Sequence, residues 1–307
     1  MRVFGKIASK EKLTLGLVFP LEAYSGSIAT MEHQEQLAKR AEALGFKALW
    51  FRDVPFNDPS FGDAGQLYDP WVYMAHIMNH TAEIALGSAS IILPLRHPVH
   101  TAKSINSLQI LSNERLIVGV ASGDRPIEYP AFNQKLENKS ELFRDSFFYI
   151  KALQGDFPSY TSKFYGTTNG AIDLLPKYYP KTPMLVTGYS GQSLDWIAKH
   201  SDGWLYYPRD FKALQLVMQQ WRQALTKAGE DWKPFMQSLY VDLTTDSETK
   251  PTPIHLGFKS GTGYLSTHLK LLEAYGVNHV ILNLKYGSRR AEEMIEEIGQ
   301  KVIPNFS

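Results

Sequence analysis

Between Ile84 and Gly123 the chain writes a strand, a helix and a second strand, and few folds accept such a unit. Ile84 to Leu93 is short, apolar and rich in β-branched residues, and Pro94 stops it. Pro98 suits the first position of a helix, where its missing N–H would have no partner anyway. Val99, Ala102, Ile105 and Leu108 then recur at helical spacing, with Lys103, Asn106 and Gln109 on the other side. Leu116 to Ala121 is a second apolar run, closed by Ser122-Gly123-Asp124. Two parallel strands joined by a helix form a right-handed βαβ crossover.

The same alternation runs through the rest of the chain. Leu13 to Phe19 is a strand ending at Pro20; Thr30 is placed to cap a helix whose face is Leu37, Ala38, Ala41 and Leu44, and Gly45 ends it. Lys47 to Arg52 is the second strand, Asp53 to Asp69 a long loop, and Pro70 opens a helix to about Asn79. Leu142, Ser146, Tyr149, Ile150 and Leu153 mark a helix ending at Gly155, and Asp156 to Thr182 reads as an irregular or hairpin connection. Met184 to Thr187 and Gly203 to Tyr207 are strands five and six, each followed by a helix. Phe235 to Leu243 is strand seven, Thr244 to Gly263 a long polar loop, Leu265, Leu269 and Leu272 a helix face, and Val280 to Leu284 strand eight. Ala291, Met294, Ile295 and Ile298 close the chain as a helix. Eight such alternations predict an α/β fold, a (β/α)8 TIM barrel in one domain over residues 1–307, with long loops at the C-terminal face. An open doubly wound sheet is the alternative, because strand order is not written in the sequence.

A chain of 307 residues can bury the core of one barrel. Its formal net charge of +1 gives no field that would draw in nucleic acid or an acidic membrane. Cysteine is absent, which removes disulfides and thiolate catalysis and fits a reducing compartment. No apolar run is long enough for a bilayer, and Met1 to Lys12 lacks the apolar segment of a signal peptide, so a cytoplasmic protein is expected. His76 and His80, and His97 and His100, lack further ligands at metal spacing and read as ordinary surface or packing histidines; no metal is expected.

Sites in such barrels lie at the C-terminal ends of the strands. Ala89-Ser90, Ser122-Gly123 and Gly188 are small residues at three of those ends, leaving room for a flat ligand or serving barrel-end packing and turns. Ser190, Gly191 and Ser193 stand where a loop enters a helix, a place for a phosphate or simply for a helix cap. Arg52, Tyr129 and Tyr207 are further polar candidates, and the loops Asp53 to Asp69 and Thr244 to Gly263 are expected to flank the mouth, the second as a lid.

Ser-Ala-Ser-Ile-Ile-Leu-Pro-Leu-Arg-His-Pro-Val, followed by Leu-Ser-Asn-Glu-Arg-Leu-Ile-Val-Gly-Val-Ala-Ser-Gly, resembles the bacterial luciferase-like family of flavin-dependent monooxygenases. Glu-Ala-Leu-Gly-Phe-Lys-Ala-Leu-Trp, Ile-Glu-Tyr-Pro-Ala-Phe, and Thr-Gly-Tyr-Ser-Gly-Gln-Ser before Ser-Asp-Gly-Trp extend the resemblance over most of the chain. It implies a (β/α)8 barrel with a flavin ring beside a non-proline cis bond, matched here by Ala89–Ser90, and the FMN phosphate on Ser190, Gly191 and Ser193. It further implies catalysis with O2 on a small organic substrate, reduced FMN from a separate NAD(P)H–flavin reductase, and a homodimer. Two departures stand out. Where relatives present an arginine to the phosphate this chain has Ser122, with Arg125 three residues on. Where they carry an acid–histidine pair it has Asp53-Val54, so Asp53 fits the acid but no imidazole follows. The alternatives are hydride transfer with the deazaflavin F420, and a flavin-binding barrel without turnover.

Overall fold

The computed structural model describes residues 2–10 and 12–306; Met1 and Glu11, part of the N-terminal stretch read for a signal peptide, lie outside the described residues. Eight strands form the barrel: β1 (Thr14–Val18), β2 (Ala48–Phe51), β3 (Ala85–Ile92), β4 (Leu116–Ala121), β5 (Met184–Thr187), β6 (Trp204–Tyr206), β7 (Phe235–Leu243) and β8 (His279–Asn283). Each pairs in parallel with the next, and β8 returns to β1 through Thr14↔His279, so the eight strands close on themselves. Closure rules out the doubly wound sheet. Between and after the strands lie α1 (Gln34–Ala43), α2 (Pro70–Ile77), α3 (Pro98–Leu111), α4 (Lys139–Leu153), α5 (Leu194–His200), α6 (Phe211–Ala228), α7 (Thr262–Tyr275) and α8 (Ala291–Lys301).

Side chains alternate across each strand, and that alternation sorts the core into two layers. On β2, Leu49 and Phe51 join the apolar layer shared with the helices, while Ala48 and Trp50 point into the barrel with Ile117, Leu185, Leu205 and Met236. Trp50 fits because Gly87 faces it: a Cβ on Gly87 would collide with the indole ring. Its Nε1 donates to His279 Nε2 at 3.0 Å, and His279 Nδ1 lies 2.7 Å from the Thr14 hydroxyl. Burial pushes the His279 pKa down to about 3, so the imidazole is neutral and fixed by two partners. Ile7 and Ala8, at the end of a short N-terminal helix (Arg2–Ile7), pack into the same layer. The barrel floor is thereby filled by side chains among the described residues.

Three local readings of the sequence are corrected. Helix α1 starts at Gln34 rather than after Thr30, because Met31 and His33 take left-handed backbone and the Glu22 carboxylate holds the Thr30 and Met31 N–H groups. Asn106 and Gln109 are buried: Asn106 Nδ2 donates to the Pro176 carbonyl at 2.9 Å, and Gln109 Oε1 accepts from the Leu116 N–H at 2.8 Å. The loop after β7 contains a hairpin, Thr252–Ile254 with Gly257–Ser260, whose second strand pairs in parallel with Tyr240 to Leu243. The connection before β5 holds another hairpin, Ser159–Thr161 with Thr167–Asn169. No helix among the described residues is long and apolar enough to cross a membrane.

Candidate functional site

The C-terminal ends of the strands surround a cavity of about 390 Å³, lined by seven of them and by Arg52 to Val54 just after β2. On the β3–β5 half its wall is small: Ala89 and Ser90, Ala121 to Gly123, Thr187 and Gly188. On the β6–β8 half it is aromatic: Tyr206 and Tyr207, Tyr240, and Tyr286 beyond β8. In a closed barrel these halves face each other, so the cavity is a slot with mostly small residues on one side, the low wall, and rings on the other. The Ala89–Ser90 bond is cis. Next to it the β3–β4 register shifts, Ser88 Oγ donates to the Gly119 carbonyl at 2.8 Å, and a Cβ on Gly119 would strike the Ser88 carbonyl oxygen.

The hydroxyls on this wall are joined to one another. Ser90 Oγ and Thr187 Oγ1 share a short hydrogen bond. Ser190, in left-handed backbone, donates from Oγ to the Thr187 carbonyl at 2.7 Å and accepts from the Ser122 N–H at 3.3 Å, tying β4 to the loop after β5. Gly191 and Ser193 are not among the lining residues: a Cβ on Gly191 would meet Ser140 of α4, and Ser193 is the N-cap of α5, accepting from the Trp196 N–H at 3.2 Å. The cap role considered for Ser190 thus falls to Ser193.

The charged groups are mostly committed to holding loops. Asp53 accepts from Arg96 Nε at 2.8 Å, Arg96 Nη2 at 2.7 Å and the Ile92 N–H at 3.0 Å, so both carboxylate oxygens are taken. Arg52 pairs with Asp63 at 2.6 Å, and Tyr24 and the Gly65 N–H also bond that carboxylate. Burial opposes the charge on Asp63, but these donors outweigh it and hold the pKa below its ordinary value. Arg125 does not point toward Ser190. Its guanidinium donates to the Phe56 carbonyl at 3.1 Å and to the Asp63 carbonyl, and it lies 4.3 Å from the Phe61 ring centre, fastening the 53–69 loop over the cavity. Tyr129 also faces away, its hydroxyl bonding the Ser122 carbonyl from behind the wall.

Tyr207 lines the cavity as expected, with its pKa raised by burial and then by Asp124; burial likewise pushes Tyr240 up to about 12. Both are therefore hydroxyl donors at neutral pH. The hairpin turn after β7 brings His255 and Leu256 to the rim, where the His255 and Tyr240 rings lie 5.7 Å apart. Glu128, Arg96, Tyr240, His255 and Tyr286 were not singled out from the sequence. The Ile-Glu-Tyr-Pro motif contained Glu128, but only the fold turns it inward.

A closed parallel barrel with a ligand-sized cavity at the C-terminal ends of its strands defines a class, the TIM-barrel enzymes. Within that class, residues 14–249 match the model of the luciferase-like monooxygenases, a family of oxidoreductases, and the chain belongs to it. An F420-dependent hydroxymycolic acid dehydrogenase from Mycobacterium tuberculosis (strain ATCC 25618 / H37Rv) is 27% identical over 187 residues, covering 59% of this chain and 50% of that protein. The alkanal monooxygenase alpha chain of Photorhabdus luminescens is 25% identical over 190 residues, covering 58% and 49%. The chain thus spans about half the length of these curated relatives. In structure, the oxygenating constituent of 3,6-diketocamphane monooxygenase from Pseudomonas putida, a type II Baeyer-Villiger monooxygenase in complex with FMN, superposes with a TM-score of 0.77 at 15% identity. That likeness covers 96% of this chain and 99% of that one.

Proposed function

We propose that this chain is a flavin-dependent oxidoreductase, a monooxygenase that acts with reduced FMN and O2 on a small organic substrate. The observation that carries the reading is the slot itself, with its low wall at Ala89-Ser90, Ser122-Gly123 and Gly188 opposite the tyrosines. Its volume of about 390 Å³ falls in the range of about 300–1,000 Å³ usual for ligand sites. Gly188 supports the fit: a Cβ there would approach Tyr207 across the cavity to 3.4 Å and narrow the slot. Ser90, Thr187 and Ser190 supply hydroxyls along the low wall, and the Ser190 hydroxyl is the group offered to the phosphate, in exchange for its bond to the Thr187 carbonyl.

When bound, reduced flavin supplies the electrons that activate O2. This chain's residues hold the ring, with Tyr207 and Tyr240 as neutral hydroxyl donors to the substrate and the 53–69 loop and β7 hairpin excluding water. The same reading brings a separate NAD(P)H–flavin reductase, a cytoplasmic setting, a homodimer and a single domain. Fluorescence titration with FMN, riboflavin and F420, followed by oxygen uptake with a reductase present, tests it. FMN should bind more tightly than riboflavin or F420, with substrate-coupled oxygen uptake only when the reductase is added. Tighter binding of F420 would move the reading to hydride transfer, FMN binding without turnover to a flavin-binding barrel, and no binding at all would end it.

A further inference from the structure

Glu128 is a buried acid whose carboxyl the fold leaves without a close hydrogen-bond partner. It sits in a 3-10 turn, Pro126–Phe132, after β4, is 1% exposed and lines the cavity. Neither Oε1 nor Oε2 has a hydrogen-bond partner among the described residues. The nearest cation, Arg125, stands 3.9 Å from Oε1, with its Nη atoms already donating to the Phe56 and Asp63 carbonyls. The other groups facing Glu128 are Asp124 from its own loop, Asp53 at the end of β2 and the Phe56 N–H from the 53–69 loop; Asp53 is itself neutralised by Arg96. Burial, the Asp124 carboxylate and one distant, shared guanidinium make a poor place for another negative charge. Burial, with Asp124 and Asp53 adding to it against Arg125, raises the Glu128 pKa. A buried carboxyl left without partners is costly unless something meets it, and here the open side is the cavity.

We propose that Glu128 is a neutral carboxylic acid that donates a hydrogen bond to an oxygen or nitrogen acceptor on the edge of the flavin-class ring held in the slot. This rests on the flavin reading above and assigns the ring-edge donor that the sequence left vacant at Val54. As an acid it also holds one proton beside the reacting ring, in a site where both Asp53 oxygens are taken by Arg96 and the Ile92 N–H.

The test compares wild-type protein with Glu128→Gln, which keeps a donor but cannot ionise, and Glu128→Leu, which has no donor. Riboflavin is the probe, because it carries the ring without the phosphate. Between about pH 5 and about pH 9, wild-type affinity should fall on the order of tenfold as the carboxyl loses its proton. The Gln variant should bind evenly across that range, and the Leu variant should be weaker on the order of tenfold throughout. A ligand-free readout accompanies it: the Glu128 side-chain carboxyl carbon, followed by NMR, should titrate above the ordinary glutamate range. A carboxyl that titrates in the ordinary range, or the same pH profile in wild type and Glu128→Gln, overturns the assignment and leaves the flavin reading standing. If wild type binds neither riboflavin, FMN nor F420 at any pH, the flavin reading falls and takes this inference with it.

Discussion

Replacing Arg96 by Met should destabilise the fold chiefly by stranding Asp53. The Asp53 side chain is 1% exposed and keeps only the Ile92 N–H, at 3.0 Å, once the two guanidinium bonds are gone. Breaking a buried ion pair from one side costs about 3–5 kcal/mol. The Arg96 side chain is a quarter exposed, so water can enter the vacated place, and the lower end, about 3 kcal/mol, is expected. Asp53→Asn removes the charge instead and leaves Arg96 its 2.7 Å bond to Asp69, so it should cost about 1–2 kcal/mol. The double variant has no stranded charge and should cost about 2 kcal/mol, well short of the sum, a coupling of about 2–3 kcal/mol. Urea unfolding followed by tryptophan fluorescence on the three variants measures it. Effects that add to within about 0.5 kcal/mol would refute the claim that Asp53 is held by Arg96 rather than free to act as an acid.

Three further outcomes are expected. The folded pKa of His279 lies near 3, below its unfolded value of about 6.5, so the stability this histidine contributes is present above the unfolded value and lost progressively below it. The wild type should lose about 2 kcal/mol between pH 7 and pH 5 relative to His279→Gln in denaturant titrations; parallel curves would show that burial does not keep the ring neutral. Ser193→Ala should cost about 1 kcal/mol of stability as a lost cap and leave the FMN-to-riboflavin affinity ratio alone, whereas Ser190→Ala should lower FMN more than riboflavin in the same titration. Limited proteolysis should cut first at the exposed turn around Leu256, and FMN should slow that cut because His255 and Leu256 border the cavity; an unchanged rate would remove the lid role.

Much of the barrel was legible because its strands are short apolar runs and two of its helix starts carry proline at N1. Asp69-Pro70 and His97-Pro98 cap α2 and α3, with Asp69 accepting from the Trp71 and Val72 N–H groups. Ile91, Val118, Val186 and Ile281 all fall on barrel strands. What stayed hidden depends on partners distant in sequence. Asn106 and Gln109 read as the outer face of α3, yet Pro176 and Leu116 supply the backbone groups that make burying them favourable. Arg125 read as a phosphate ligand, but the 53–69 loop claims it through two carbonyls. Glu128 follows the same rule, since a lone glutamate in a loop gives no hint that the loop will fold inward. The small residues at the strand ends were visible at once, because their size alone shapes the slot.

The most direct measurement is the crystal structure of the protein grown with saturating FMN. The account expects the isoalloxazine in the slot between Ala89-Ser90 and Tyr207, its phosphate at the Ser190 hydroxyl, and an edge atom within hydrogen-bond distance of Glu128. An empty slot in FMN-saturated crystals, or flavin bound elsewhere on the barrel, would contradict it.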